Sequence, residues 1–232
     1  LEDVLKYKCT RASNTANVLH ALCGKAGLIM DRVITIGREL GSGGRTVGKE
    51  VARLLQIPYY DRELIDEAAK ESGLSSDFIE NNEQEITSSF LYNLAMGNSY
   101  TYGMLGLGGT NSVPLTMQVF LAQQKVIQKY AASPCVIVGR CADFILRERQ
   151  DLLKVFIYAS MEDRIKRAVD EYGYSQKKAL DVITKSDKGR ARHYATFTEW
   201  DWSDRRNYDM MLNAAALGVD TAARMICEAA KR

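Results

Sequence analysis

The run Gly37-Arg38-Glu39-Leu40-Gly41-Ser42-Gly43-Gly44-Arg45-Thr46 brings glycines, arginines and hydroxyls together in ten residues. Glycines let successive backbone N–H groups turn toward one point. A helix starting directly after such a turn would aim its N-terminus at the same point. Together they would form an anion nest suited to phosphate groups. In the phosphate-binding pattern G-x-x-x-x-G-K-[ST], the last hydroxyl meets Mg²⁺. Thr46 stands at that hydroxyl, Gly44 takes the lysine position, and Arg45 is the neighbouring charge. A glycine turn with no ligand is the competing reading. The pattern G-x-G-x-x-G, started at Gly41, ends on Thr46 instead of glycine, which argues against a dinucleotide site.

Such a loop works only if a strand and a helix hold it. Residues 33–36 are short, apolar and β-branched, the mark of a buried strand. Val47, Val51, Leu54 and Leu55 then recur at helical spacing. Residues 57–60, 135–138, 152–158 and 208–212 read as further strands. Asp61 is placed to cap a helix carrying Leu64, Ile65 and Ala68. Residues 75–96 read as helical and polar, 97–114 as a mobile loop rich in Gly, Ser, Thr and Asn, and 115–130 as helical. Ser160 and Asp163 form a capping box before a helix to about Tyr172. Ser175 starts a long basic helix, and residues 219–230 form the last one. Strands alternating with helices imply a parallel sheet covered on both faces. Ligands of such sheets bind beyond the carboxyl ends of the strands. This topology would gather residues 38–46, 60–62 and Gly139-Arg140 along one sheet edge. An arginine there, directly after a buried strand, is costly unless paired.

With these blocks in view, the chain resembles the cytidylate kinase-like proteins, a branch of the P-loop nucleoside monophosphate kinases. The resemblance rests on residues 34–45 and 57–65. It also rests on Val136-Ile137-Val138-Gly139-Arg140-Cys141-Ala142-Asp143, on Asp187-Lys188-Gly189-Arg190-Ala191-Arg192-His193-Tyr194, and on Tyr208-Asp209 through Asn213. It implies a P-loop NTPase-like three-layer α/β fold, a parallel sheet flanked by helices, with a helical acceptor insert at about residues 62–130 and a lid at about 175–207. The implied reaction moves the γ-phosphoryl group of ATP, with Mg²⁺, to a nucleoside monophosphate or another small acceptor. Such transfer needs positioning and charge neutralisation more than covalent chemistry. By the same resemblance, Arg38, Gly41, Ser42, Gly43, Gly44, Arg45 and Thr46 would bind ATP, with Thr46 on the metal. Asp61, Arg62 and Arg140 would border the acceptor. Arg45, Arg140, Asp187, Arg190 and Arg192 would steady the transferring group. The chain departs from characterised bacterial cytidylate kinases at three places. Gly44 replaces a lysine, Cys141 an aspartate, and Glu67 an acceptor-phosphate arginine. These departures leave the acceptor open and give a second reading, a nucleotide-binding regulatory protein with little or no transfer.

Composition sets the remaining bounds. The 232 residues suffice for one large domain, with residues 32–232 as the kinase-like part. Residues 1–31 fit poorly with it, as an extra helix, a partner-binding arm or a cloning remnant. Thirty-one basic against 29 acidic residues give a net charge of +2, too balanced for a nucleic-acid coat. Five cysteines without a C-x-x-C pair fit reduced thiols in the cytoplasm. No apolar run reaches membrane-spanning length, and no secretory leader is expected. Self-association is left open. His193 reads as a structural histidine beside the lid. Trp200 and Trp202 read as packing the lid helix on the core. Tyr92, Tyr100 and Tyr102 cluster near the glycine-rich segment.

Overall fold

Five short parallel strands carry the molecule. They are β1 (Val33–Arg38), β2 (Tyr59–Tyr60), β3 (Val136–Val138), β4 (Leu152–Tyr158) and β5 (Met210–Asn213), in the order β2-β3-β1-β4-β5. The computed structural model describes residues 32–73 and 115–231. The extension 1–31, the helix and loop expected over 75–114, and with them the three tyrosines and most of the expected insert, lie outside the described residues. Ile34 pairs with Val136 on one side of β1 and with Leu153 on the other. Ile34, Ile36, Val136, Ile137 and Ile157 have no exposed surface. Full burial on both faces is what the β-branched runs require, and each such side chain stabilises the fold by about 1.5–3 kcal/mol.

Eight helices are described: α1 (Gly44–Leu55), α2 (Glu63–Ser72), α3 (Leu115–Tyr130), α4 (Ala142–Ile145), α5 (Met161–Asp170), α6 (Gln176–Thr198), α7 (Ala214–Leu217) and α8 (Val219–Ala230). α2 and α3 bury Leu64, Ile65, Val126 and Ile127 against Val33 and Ile137 of the sheet. α5 and α6 meet through Ala168, Ala179 and Ile183, with Leu40 of the glycine-rich loop against them. A third cluster joins Phe120, Cys141 and Tyr194, and Trp200 and Trp202 pack on it. Trp200 meets Phe144 edge-on at 5.0 Å and Trp202 meets Phe156 at 5.2 Å, so both tryptophans do pack the end of α6 onto the core.

Two local expectations change. Asp61 does not cap α2: the cap position is Arg62, with no side-chain cap bond. The Asp61 carboxylate is drawn away by Arg45 Nε at 2.7 Å, a charged partner that outcompetes backbone N–H groups. The helix after Ser160 stops at Asp170 instead of reaching Tyr172. Gly173 turns the chain at φ 71°, and the Tyr174 amide closes back on the Ala168 carbonyl at 3.1 Å, a glycine-terminated helix end. The Ser160 cap itself forms, its hydroxyl accepting from the Asp163 amide at 3.1 Å. Among the described residues no helix is long and apolar enough to cross a membrane.

The connection from β1 leads to β2 on one side, and that from β3 leads to β4 on the other. A crevice therefore opens beyond the carboxyl ends of β1 and β3.

Candidate functional site

The glycine-rich loop lies at that crevice, between β1 and α1. Gly41 and Gly43 sit at φ 80° and 86°, a left-handed conformation that costs other L-residues about 1–2 kcal/mol. Both are also hemmed in. A Cβ on Gly41 would lie 2.7 Å from the Arg164 carbonyl, and one on Gly43 would run into the Arg167 guanidinium. Ser42 is fully buried and braces the turn through its hydroxyl, which donates to the Glu39 carbonyl at 2.9 Å. The amides of Gly41, Gly43, Gly44, Arg45 and Thr46 donate to no acceptor among the described residues. Five donors at a helix start make an anion nest.

The first half of the loop is built the other way. The Leu40 amide donates to Asp187 Oδ1 at 2.9 Å. Arg164, 4 % exposed, donates from Nε to the Leu40 carbonyl at 2.8 Å. It also pairs with Glu39 at 3.3 Å and with Asp187. Arg190 reaches Asp187 and the Arg38 carbonyl, each at 3.3 Å. Glu39 accepts from the Ala159 amide at 3.2 Å. Burial nevertheless pushes its carboxyl above the ordinary range, against the pull of that bond and of Arg164. This clamp ties the loop to α5 and α6.

Arg38 fills the space the lysine pattern would use. A Cβ on Gly44 would lie 2.5 Å from Arg38 Cβ, and one on Gly139 would meet the Arg38 guanidinium. Arg38 runs from the loop to the end of β3, 3.6 Å from Asp61, and its Nε has no hydrogen-bond partner among the described residues. Burial lowers its pKa, partly offset by Asp61.

A cavity of about 610 Å³ opens beside the loop, under α6. Arg38, Arg45, Arg140, Lys185 and Arg190 are among its lining residues. Burial, then Arg38 and the other arginines, push Arg190 down to about 9 although Asp187 opposes the shift. A site that resists its own cations favours an anion. Asp143, His193, Tyr194, Trp202 and Tyr208 line it as well. Tyr194 donates to Asp143 at 2.6 Å, and burial still raises the Asp143 carboxyl.

The structure thus brings Arg38, Arg45, Arg140 and Arg190 to one cavity, and Arg38, Arg45 and Arg190 also line a second cavity of about 150 Å³ with Gly41, Gly43 and Gly44. Asp187 sits beneath them in the clamp. Thr46, Arg62 and Arg192 are exposed and line neither cavity. Arg192 is two residues past Arg190, so the helix turns it to another face. Glu67, at the departure noted above, pairs with Lys70 at 2.6 Å on the surface. Sequence reasoning missed Glu39, Arg164, Asp143 and Lys185. Only the spacing of Lys185, Gly189, Arg190 and His193 along one helical face pointed there.

The model of the cytidylate kinase-like family matches residues 33–216. The chain belongs to this family. The match takes in all five strands and the loop, and it ends before α8. A cytidylate kinase of Pyrobaculum aerophilum is 24% identical over 194 residues, covering 83% of this chain and 89% of its own. The crystal structure of an uncharacterized protein from Eubacterium ventriosum is similar at 28% identity and a TM-score of 0.64, covering 86% of this chain and 98% of its own. A shikimate kinase from Bacteroides thetaiotaomicron shares the fold at 13% identity, with a TM-score of 0.51 over 87% of this chain and 99% of its own.

Proposed function

We propose that this protein is an ATP-dependent phosphotransferase whose acceptor is a small molecule bearing a phosphate, a nucleoside monophosphate in the first instance. The observation that carries the reading is the meeting of five open loop amides with a cation-lined cavity. The amides of residues 41–46 would hold the ATP phosphates, and Arg45 and Arg38 would supply the charge that Gly44 does not. Arg140 and Arg190 would neutralise the acceptor phosphate and the transferring group. An acceptor oxygen would attack the γ-phosphorus as the bond to the β-phosphate oxygen breaks. Bidentate guanidinium contacts suit this task, and α6 acts as the lid that keeps water from the reacting phosphorus.

When bound, Mg²⁺ would supply neutralisation of the phosphate charge. In such sites it takes one or two protein oxygens, with phosphates and water completing its shell. The Thr46 hydroxyl in the first turn of α1 and the carboxylate of Asp61, which pairs with Arg45 of the same turn, are the oxygens that would hold it. No cluster of three or more His, Cys, Asp or Glu able to hold a metal occurs among the described residues. Cys135, Cys141 and Cys227 are buried and form no disulfide among the described residues, which suits a reducing compartment such as the cytoplasm.

The test is to incubate the purified protein with Mg·ATP and a panel of CMP, UMP, dCMP, AMP and GMP, following ADP formation. Acceptor-dependent ADP release supports the reading, and no turnover with no ATP binding removes it. Gly44 in the lysine position favours a second reading, a nucleotide-binding regulatory protein. It predicts ATP binding without transfer, and an Arg45→Ala change that weakens binding only.

A further inference from the structure

His193 has no task in the phosphate chemistry above, yet its position is not that of a packing residue. It lies on α6 three residues beyond Arg190, on the same helical face, and both line the cavity. Only 9 % of it is exposed. Its ring meets Phe197 edge-on at 4.9 Å, which fixes the ring plane. Neither Nδ1 nor Nε2 has a hydrogen-bond partner among the described residues. Buried polar groups are rarely left so unless something else reaches them.

We infer that His193 is a specificity-determining residue whose ring nitrogen accepts a hydrogen bond from an O–H or N–H group on the acceptor. The inference rests on the phosphotransferase reading and deepens it. A neutral imidazole offers one donor and one acceptor. Burial and the nearby Arg140 hold His193 neutral, its pKa pushed down to about 3. Phosphate oxygens at neutral pH only accept, and the surrounding guanidiniums serve them better. Within the ligand, the accepting nitrogen is therefore matched by a group that brings a donor, either a sugar hydroxyl or an exocyclic amine of the base. Tyr194 cannot serve, because its hydroxyl proton is committed to Asp143 at 2.6 Å. A site built to hold such a donor rejects the analogue lacking it far more strongly than an apolar pocket rejects a missing methylene.

The experiment pairs a change in the residue with a change in the ligand. Wild type, His193→Phe and His193→Gln are assayed with the preferred monophosphate, its 2′-deoxy form and its oxo-for-amine form: CMP, dCMP and UMP, or AMP, dAMP and IMP. In wild type, loss of the recognised donor should lower kcat/KM by at least about tenfold. In His193→Phe that ratio should collapse toward one, with KM for ATP unchanged within about twofold, and His193→Gln should restore part of it. The pair whose ratio collapses tells hydroxyl from amine. Ratios unchanged in His193→Phe, or acceptor and ATP affinities falling together, overturn the inference and leave the phosphotransferase reading standing. Wild type that transfers to no acceptor overturns both. Should His193→Phe fail to fold, His193→Leu, which likewise removes the accepting nitrogen, carries the test. An unaltered ratio there overturns the inference.

Discussion

The two halves of the glycine-rich loop use their polar groups in opposite ways. In the first half, Glu39 and Leu40 are tied on every side, by Arg164, Asp187, Ile157 and Ala159. In the second half, five amides donate to nothing among the described residues. The halves are continuous, so a satisfied segment holds an unsatisfied one in shape. Open donors alone would relax by turning toward carbonyl groups or toward water. The clamp removes that freedom before a ligand arrives, which is preorganisation in its simplest form.

The comparison breaks most readily at Asp187. Asp187→Ala leaves the buried Arg164 guanidinium with Glu39 as its only carboxylate among the described residues. Loss of one member of a buried ion pair should cost about 3–5 kcal/mol, read as a lowered midpoint in urea unfolding. A change under about 1 kcal/mol would mean that the first half does not depend on the clamp.

Gly43→Ala tests the open half. The left-handed φ of 86° and the Arg167 guanidinium both oppose a methyl group. Stability should fall by about 1–2 kcal/mol, while ATP affinity, measured by calorimetry, falls by more than tenfold. Equal losses in Asp187→Ala and Gly43→Ala across both readouts would erase the distinction between the halves.

A third prediction carries the contrast into the cavity. His193 titrates near 3 in the folded protein, against 6.5 for an ordinary histidine. Between these values the unfolded chain binds a proton that the folded chain does not. Stability is therefore full above pH 6.5 and declines as pH falls toward 3. Between pH 6.5 and 4.5, wild type should lose up to about 1.4 kcal/mol per pH unit more than His193→Phe. Parallel stability–pH curves for the two proteins would contradict this.

The smallest effect on stability is expected at Arg45, whose side chain is 57% exposed although it pairs with Asp61 at 2.7 Å. Arg45→Ala should change unfolding free energy by under about 1 kcal/mol. Turnover should drop by about 10²–10³-fold, as for removal of other charge-stabilising donors. A variant that loses stability but keeps its rate would reverse the assignment of Arg45 to the open half.

The strands were legible because a buried parallel strand must be a short apolar run, and β1, β3 and β4 are little else. The loop was legible because only glycines tolerate its turns. The clamp was not. Arg164 lies on an amphipathic helix among charged residues and reads as solvated. Its carbonyl partner, Leu40, is 124 residues away, and Leu40 is 147 residues from Asp187. No local pattern encodes such meetings. Asp61 shows the same limit from the other side. An acidic residue before a helix ordinarily caps it, and only the fold reveals an arginine in the first turn of α1 that takes the carboxylate. The short α4 and α7 escaped notice because four residues hold too little periodicity to register.

Gly44 and Arg38 bind each other's evolutionary options. A lysine introduced at 44 alone would collide with the arginine stem already seated there. Trimming Arg38 alone would leave neither cation at that end of the loop. Restoring the lysine version of this motif therefore demands a simultaneous exchange at both positions, and each single step on the way should be worse than either end.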